Sequence, residues 1–250
     1  MADPGSGQRA PDQTEPVRSR FVYAVGQLAP QFPSLGVEKE FAQLANRLGR
    51  GGLVEMELLR QVLEVPENRY LARHLCWVFT SQHVEAFTML PRDETDLTQL
   101  VEMISPNNSE EIVHVVVGRS SPGPADSPCI AAGLPTVTPD QLLAFTVDEF
   151  TQAVPDVGAT ADQETAGEQE LPATSRNEVG EQFQAVVREV FVRLTRRADN
   201  HGITDDHRAF NYVALRYPPI YHIVDQAYRE GKRLVSERLK ITRAVVGCLG

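Results

Sequence analysis

The chain has 250 residues, 42% of them hydrophobic and 23% charged, and a formal net charge of −10. That length can bury a real core without metal or disulfide staples, and that charge excludes non-specific attraction to nucleic acid or anionic lipid. No run of about eighteen apolar residues occurs and the N-terminus lacks the basic and apolar regions of a signal peptide, so a cytoplasmic protein without membrane spans is expected. Residues 1–18 are rich in Pro, Gly, Ser and charge and read as a flexible tail, with residues 19–250 expected to form a single domain. Phe21, Tyr23, Val25 and then Leu28 alternate as in a strand, which the cluster Pro30, Pro33 and Gly36 is expected to end.

Val37, Phe41, Leu44, Ala45 and Leu48 recur at helical spacing up to the Gly49–Gly52 turn, and a second helix is predicted over Leu53–Leu63, closed by Pro66. From Arg69 to Leu90 two apolar strands rich in Trp77, Val78, Phe79, Val84, Phe87 and Thr88 flank Ser81-Gln82-His83 as a hairpin. Asp93, Glu94 and Asp96 place negative charge at the favoured end of a short helix through Leu97, Leu100, Val101 and Ile104. Ile112–Gly118 is a β-branched run that reads as a buried strand. A Pro/Gly loop follows at Gly123–Gly133, and Leu134–Phe145 is expected to hold one or two short strands before a helical turn to Val154.

Residues 156–177 carry Gly, Ala, Thr and acidic side chains with almost no large apolar ones, the composition of a flexible acidic linker interrupting the domain. Beyond it Val179, Phe183, Val186, Val187, Val190, Phe191 and Leu194 form a long helical stripe. Gly202 can turn the chain and Thr204 can cap a further helix that buries Phe210, Val213, Ala214 and Tyr217, and Pro218-Pro219 restarts it as a last helix. Together these elements predict an α+β fold in which a small, mainly antiparallel sheet packs against a helical C-terminal section.

Polar residues crowd the segment 199–216. Asp199, Asn200, Asp206, His207, Asn211 and Arg216 would line a cleft between helices, where a carboxylate beside an imidazole can transfer protons or hold a peptide. The same residues serve equally as helix caps, turn formers and partners for buried backbone groups, and on chemistry alone that structural role is favoured. Three cysteines, Cys76, Cys129 and Cys248, make neither a disulfide framework nor a zinc pattern, so reduced thiols are expected. His74 and Cys76, two apart on an expected strand, are weak zinc candidates among apolar neighbours; no metal and no cofactor is assigned. Gly49-Arg50-Gly51-Gly52 follows a helix and lacks the Gly-Lys-Ser/Thr ending of a phosphate loop, and no hydrolase, metalloprotease or kinase motif is present.

Three stretches, taken in order, carry a family likeness: Arg69-Tyr-Leu-Ala-Arg-His-Leu-Cys-Trp-Val-Phe-Thr with Leu90-Pro-Arg-Asp downstream, His114-Val-Val-Val-Gly-Arg, and the run from Asp199 through Pro218. They resemble the C-terminal domain of the patellamide-type cyanobactin maturation proteases, over roughly Phe21 to Leu239 and without the protease domains. The resemblance implies a free-standing, non-catalytic accessory protein in the maturation of ribosomally made peptides, with a precursor peptide, a modifying enzyme or both as partners. It supplies no catalytic residues. Similar domains run on into strand-like sequence where this chain ends soon after Val245-Val-Gly-Cys-Leu-Gly; if that further part completes a sheet in them, an open edge would remain here, suited to an extended peptide or a second subunit. The alternative is a peptide-modifying enzyme using the polar cluster around His207, with or without zinc. Nucleic-acid and membrane partners are not expected, and the sequence leaves homo-oligomerisation open.

Overall fold

Arg20–Gln31 form β1, a strand of 12 residues long enough to take a different partner along each half. Its first half pairs antiparallel with β4 (Ile112–Ser121) and its second half with β2 (Cys76–Ser81). The structure, a computed structural model, describes residues 20–49, 55–105, 112–121, 129, 133–155, 173–197 and 199–232. The expected N-terminal tail, most of the Pro/Gly loop, residues 156–172 of the linker and the C-terminal end lie outside the described residues.

Pro30 does not end β1, contrary to the sequence expectation, and the reason is one of side. Leu28 directs its N–H toward the β4 side, where the His114 ring Nδ1 accepts it at 3.0 Å. Pro30 shares that side beyond the last β4 pair at Gly26–His114, so its missing N–H removes no ladder bond.

β2 and β3 (Val84–Met89) form the expected hairpin, turned by Gln82 and His83 at φ 52° and 61°, the left-handed pair of a type I′ turn. The chain before it is helical rather than extended. Pro66–Asn68 make a 3-10 turn and Leu71–His74 a short helix, α3, that buries Leu71 and Ala72, while the Trp77 indole N–H donates to the Ala72 carbonyl. β5 (Thr136–Thr146) is one long strand, its register against β4 shifted by a bulge between Val117 and Gly118. It meets β3 in parallel over only Thr88–Thr136 and Met89–Val137, closing a barrel in the order β1-β2-β3-β5-β4.

Two apolar clusters sit on opposite faces of β1 and β4. Val22, Ala24, Leu28, Val116 and the stacked Phe79–Phe87 pair join α1 (Leu35–Arg47), α2 (Glu55–Glu64) and α4 (Glu94–Glu102) in the first. Val25 and Val115 join α5 (Val147–Ala153), α6 (Ala173–Thr195), α7 (Asp205–Arg216) and α8 (Pro219–Arg229) in the second, around Phe183, Phe191, Phe210 and Tyr221. The fold is therefore α+β, with a mostly antiparallel sheet and a helical C-terminal part. The stripe expected over 179–194 faces that second cluster, and α6 starts at Ala173, inside the stretch expected as linker. Among the described residues no helix is long and apolar enough to cross a membrane.

The expectation of reduced thiols does not hold for two of the three cysteines. Cys76, opening β2, is bonded to Cys129, whose Cα lies 5.5 Å away across 53 residues of sequence. The fold places Cys129, between β4 and β5 in the chain, beside the start of β2, a proximity that cysteine spacing cannot reveal. Closing a loop of that length restricts the unfolded chain, so Cys129→Ser is expected to lower stability by about 4 kcal/mol. Denaturant titration checks this, and wild type under reducing conditions should fall to the level of the variant.

Candidate functional site

The polar segment at 199–216 is wrapped against one edge of β1. Where β1 pairs with β4 but has not yet met β2, its odd-numbered residues turn their N–H and C=O groups toward an empty side of the sheet. The loop after α6 fills that side: Tyr23 N–H donates to the Gly202 carbonyl at 2.9 Å, and the Asn211 side-chain amide donates to the Tyr23 carbonyl at 2.8 Å. Arg208 donates to the Phe21 carbonyl at 3.0 Å and to the Ile203 carbonyl at 2.6 Å. Two side chains and one loop carbonyl thus supply the bonds that a neighbouring strand would make.

Sequence-local chemistry sets this seal in place. Thr204 caps α7 by accepting from His207 N–H, and Asp205 and Asp206 lie at its positive end. Gly202, at φ +70°, packs so closely on β1 that a Cβ there would lie 2.5 Å from Ala24 Cα and from the Tyr23 carbonyl oxygen. Asn200 and Asn211, 1% and 0% exposed, exchange amide hydrogen bonds at 2.7 and 3.2 Å, and Asn200 also donates to the Thr195 carbonyl. Every arm of that pair ties loop, α6, α7 or β1 together, which is the role of a buried and satisfied polar network.

The remaining candidates are not drawn into one cleft. Asp199 is exposed in a left-handed turn at φ 61°, Asp206 is exposed on α7, and Arg216 is exposed at its end, beside the Tyr23 phenol. His207 is half-buried with its ring 6.4 Å from that of His201, and burial, then the neighbouring His201, hold its pKa below the usual histidine value. No hydrogen bond or ion pair joins Asp206 to His207 among the described residues, since adjacent helix positions face different ways. His207 Nδ1 and His201 Nε2 are buried without a hydrogen-bond partner there, and the Arg197 guanidinium sits beside them, 3.9 Å from the centre of the Phe210 ring.

His74 and Cys76 are separated by the structure. His74 ends α3 with its ring edge-on to Tyr70, and Cys76 is committed to Cys129. Among the described residues no group of three or more His, Cys, Asp or Glu could hold a metal ion.

A second sheet edge is left open, on β5. Tyr23 turns away from β4, so its opposite residue Val117 turns toward β5, and by alternation Val115–Leu143 and Val113–Phe145 are the bonded pairs. Leu142 and Ala144 therefore direct their backbone groups away from β4. β3 reaches only to Val137, and Thr146 N–H is taken by the Glu149 carboxylate in the capping box of α5. Among the described residues no backbone group bonds Leu142 or Ala144 on that side, and Leu143 beside them is 47% exposed. No side-chain motif marks this edge; only the period-two apolar pattern and the early end of β3 create it.

Two family models match the chain: the PatG domain over residues 21–120 and the PatG C-terminal domain over residues 177–244. A comparison with curated proteins finds no match. Among solved structures, one titled "PatG Domain of Unknown Function" superposes with a TM-score of 0.54 at 18% identity, covering 86% of this chain and 76% of that one. At that identity the likeness concerns the fold.

Proposed function

From its membership in the family of PatG domains found in cyanobactin maturation proteases, we propose that this chain is a non-catalytic accessory protein of ribosomal-peptide maturation, binding a precursor peptide, a modifying enzyme or both. The observation that carries this reading is the open edge of β5 at Leu142 and Ala144, flanking an exposed Leu143. An extended peptide laid along such an edge gains main-chain hydrogen bonds for affinity, and side-chain pockets along the strand supply specificity. The polar cluster supports the same reading by its occupation: Asn200, Asn211, Gly202 and Arg208 all serve the β1 seal.

Ala144→Pro tests the proposal, because it removes an outward N–H while the bonds to β4 from Leu143 and Phe145 remain. Capture of the precursor peptide or of a modifying enzyme encoded beside it should fall at least about tenfold with the melting temperature little changed. Failure of the wild-type protein to capture either would overturn the reading. A catalytic alternative draws on one feature, the unpartnered Nδ1 of a His207 kept neutral by burial. It requires His207→Ala to abolish a product while leaving fold and partner capture intact.

A further inference from the structure

The first residues of β1 and the exposed face of α7 meet in a patch that gathers arginine and aromatic side chains. Phe21 and Tyr23 stand at alternate positions of β1 on the face that packs the second apolar cluster, Phe21 exposed and Tyr23 half-buried at its edge, and Arg119 of β4 lies directly across from Phe21. Arg208, Tyr212 and Arg216 follow one another at four-residue spacing along α7, on the side that reaches β1: Arg208 donates to the Phe21 carbonyl, and the Arg216 guanidinium and Tyr212 lie beside the Tyr23 phenol. Phe21 and Tyr212 are 47% and 57% exposed, and the Arg119 side chain is 67% exposed. Burial pushes the Tyr23 phenol pKa up despite the guanidinium beside it, so the ring presents a neutral hydroxyl next to a cation.

The local ion pairs leave one arginine of the patch unmatched. Arg208 is matched by Asp205 and Arg119 by Asp140 at 3.5 Å, which Arg92 also approaches at 3.7 Å while pairing with Asp96 at 3.0 Å. Arg216 makes no ion pair among the described residues. A chain of net charge −10 that gathers tyrosine, phenylalanine and incompletely matched arginine on one face has the composition of an interface centre rather than of ordinary surface. We infer that this face docks an acidic segment of a partner polypeptide, its carboxylates on Arg216 and Arg119 and an apolar side chain between Phe21 and Tyr212. The inference goes beyond the β5 edge and does not depend on it: the patch is built of side chains on β1, β4 and α7, whereas the edge offers backbone groups of β5.

The test is fluorescence anisotropy of the full chain with two labelled probes, a peptide of alternating Glu and Leu and its Lys/Leu counterpart. The acidic probe should bind, weaken as salt rises, and lose about tenfold in affinity on Arg216→Glu and on Tyr212→Ala, with the circular-dichroism melt unchanged and Ala144→Pro without effect. Arg216→Lys should retain most of the binding if charge is what matters. Equal binding of the Lys/Leu probe, equal loss on Ala144→Pro, or unchanged affinity in both patch variants would overturn the inference. A single-stranded oligonucleotide binding as tightly as the acidic peptide would overturn the assignment to a polypeptide.

Discussion

Replacing Gly202 by alanine is expected to lower the stability of the fold by about 3–5 kcal/mol, far more than a loop substitution ordinarily does. Two effects add. The φ of +70° is a left-handed conformation that an L side chain adopts only with strain, of the order of 1–2 kcal/mol. The added Cβ would also sit 2.5 Å from backbone atoms of Tyr23 and Ala24, which cannot swing aside as a flexible side chain would. Relief requires the 199–203 loop to lift from β1, breaking the Tyr23–Gly202 bond and stretching the Asn211 and Arg208 contacts. Gly180, with nothing within 4 Å of where its Cβ would stand and placed inside α6, is the control: Gly180→Ala should raise stability by about 0.5–1 kcal/mol. Thermal and urea unfolding of the two variants separate these outcomes by sign. A loss at Gly202 below about 1 kcal/mol would mean that the loop is not docked as described.

His114→Ala is expected to be of similar size, about 3–5 kcal/mol, and to change the pH profile as well. The imidazole is 3% exposed, accepts from Leu28 N–H at Nδ1 and donates to the Met103 carbonyl from Nε2, at 3.0 Å on each side. Truncation leaves a cavity and two buried backbone groups unpaired. Burial holds the folded pKa below the ordinary histidine value, so the folded state keeps the ring neutral where the unfolded chain takes up a proton. The contribution is therefore fully present above about pH 6.5 and is lost as pH falls below it toward the folded pKa, at no more than about 1.4 kcal/mol per pH unit. Wild type should lose stability on acidification from that point, and His114→Ala, already destabilised, should lose less over the same interval. Parallel curves for the two proteins would contradict the assignment.

Much of the fold was legible in the sequence because its signals are local. The hairpin around residues 81–83, the capped helix at Asp93, the stripe of α6 and the Thr204 cap each depend on periodicity or on a short polar signal that the structure uses directly. What was missed depends on partners distant in the chain. Pro30 is tolerated in β1 because β4 stops short of it, and Cys76 finds Cys129 because a barrel closes between them. The helix at 71–74 escaped because its apolar residues lie beside a strand of the same composition.

The polar cluster shows the same division. That Thr204 caps and that the segment is structurally employed could be reasoned from residue types. That Asn211 and Gly202 together stand in for a missing strand opposite Tyr23 could not, since the two β1 partners must first be placed. Asp199, Asp206, His207 and Arg216, grouped by proximity in sequence, are dispersed over a turn and different faces of one helix. The open edge of β5 has no sequence mark of its own and exists because β3 is short and meets it over two residue pairs.

The account turns on a contrast between two edges of one sheet, β1 sealed by the chain itself and β5 open at Leu142 and Ala144. Residue-resolved amide hydrogen exchange of the isolated protein measures it directly. Tyr23 N–H should be protected to the level of the core strands, while Leu142 and Ala144 N–H should exchange orders of magnitude faster than Leu143 between them. Fast exchange at Tyr23, or protection at Leu142 and Ala144 equal to that of Leu143, would contradict it.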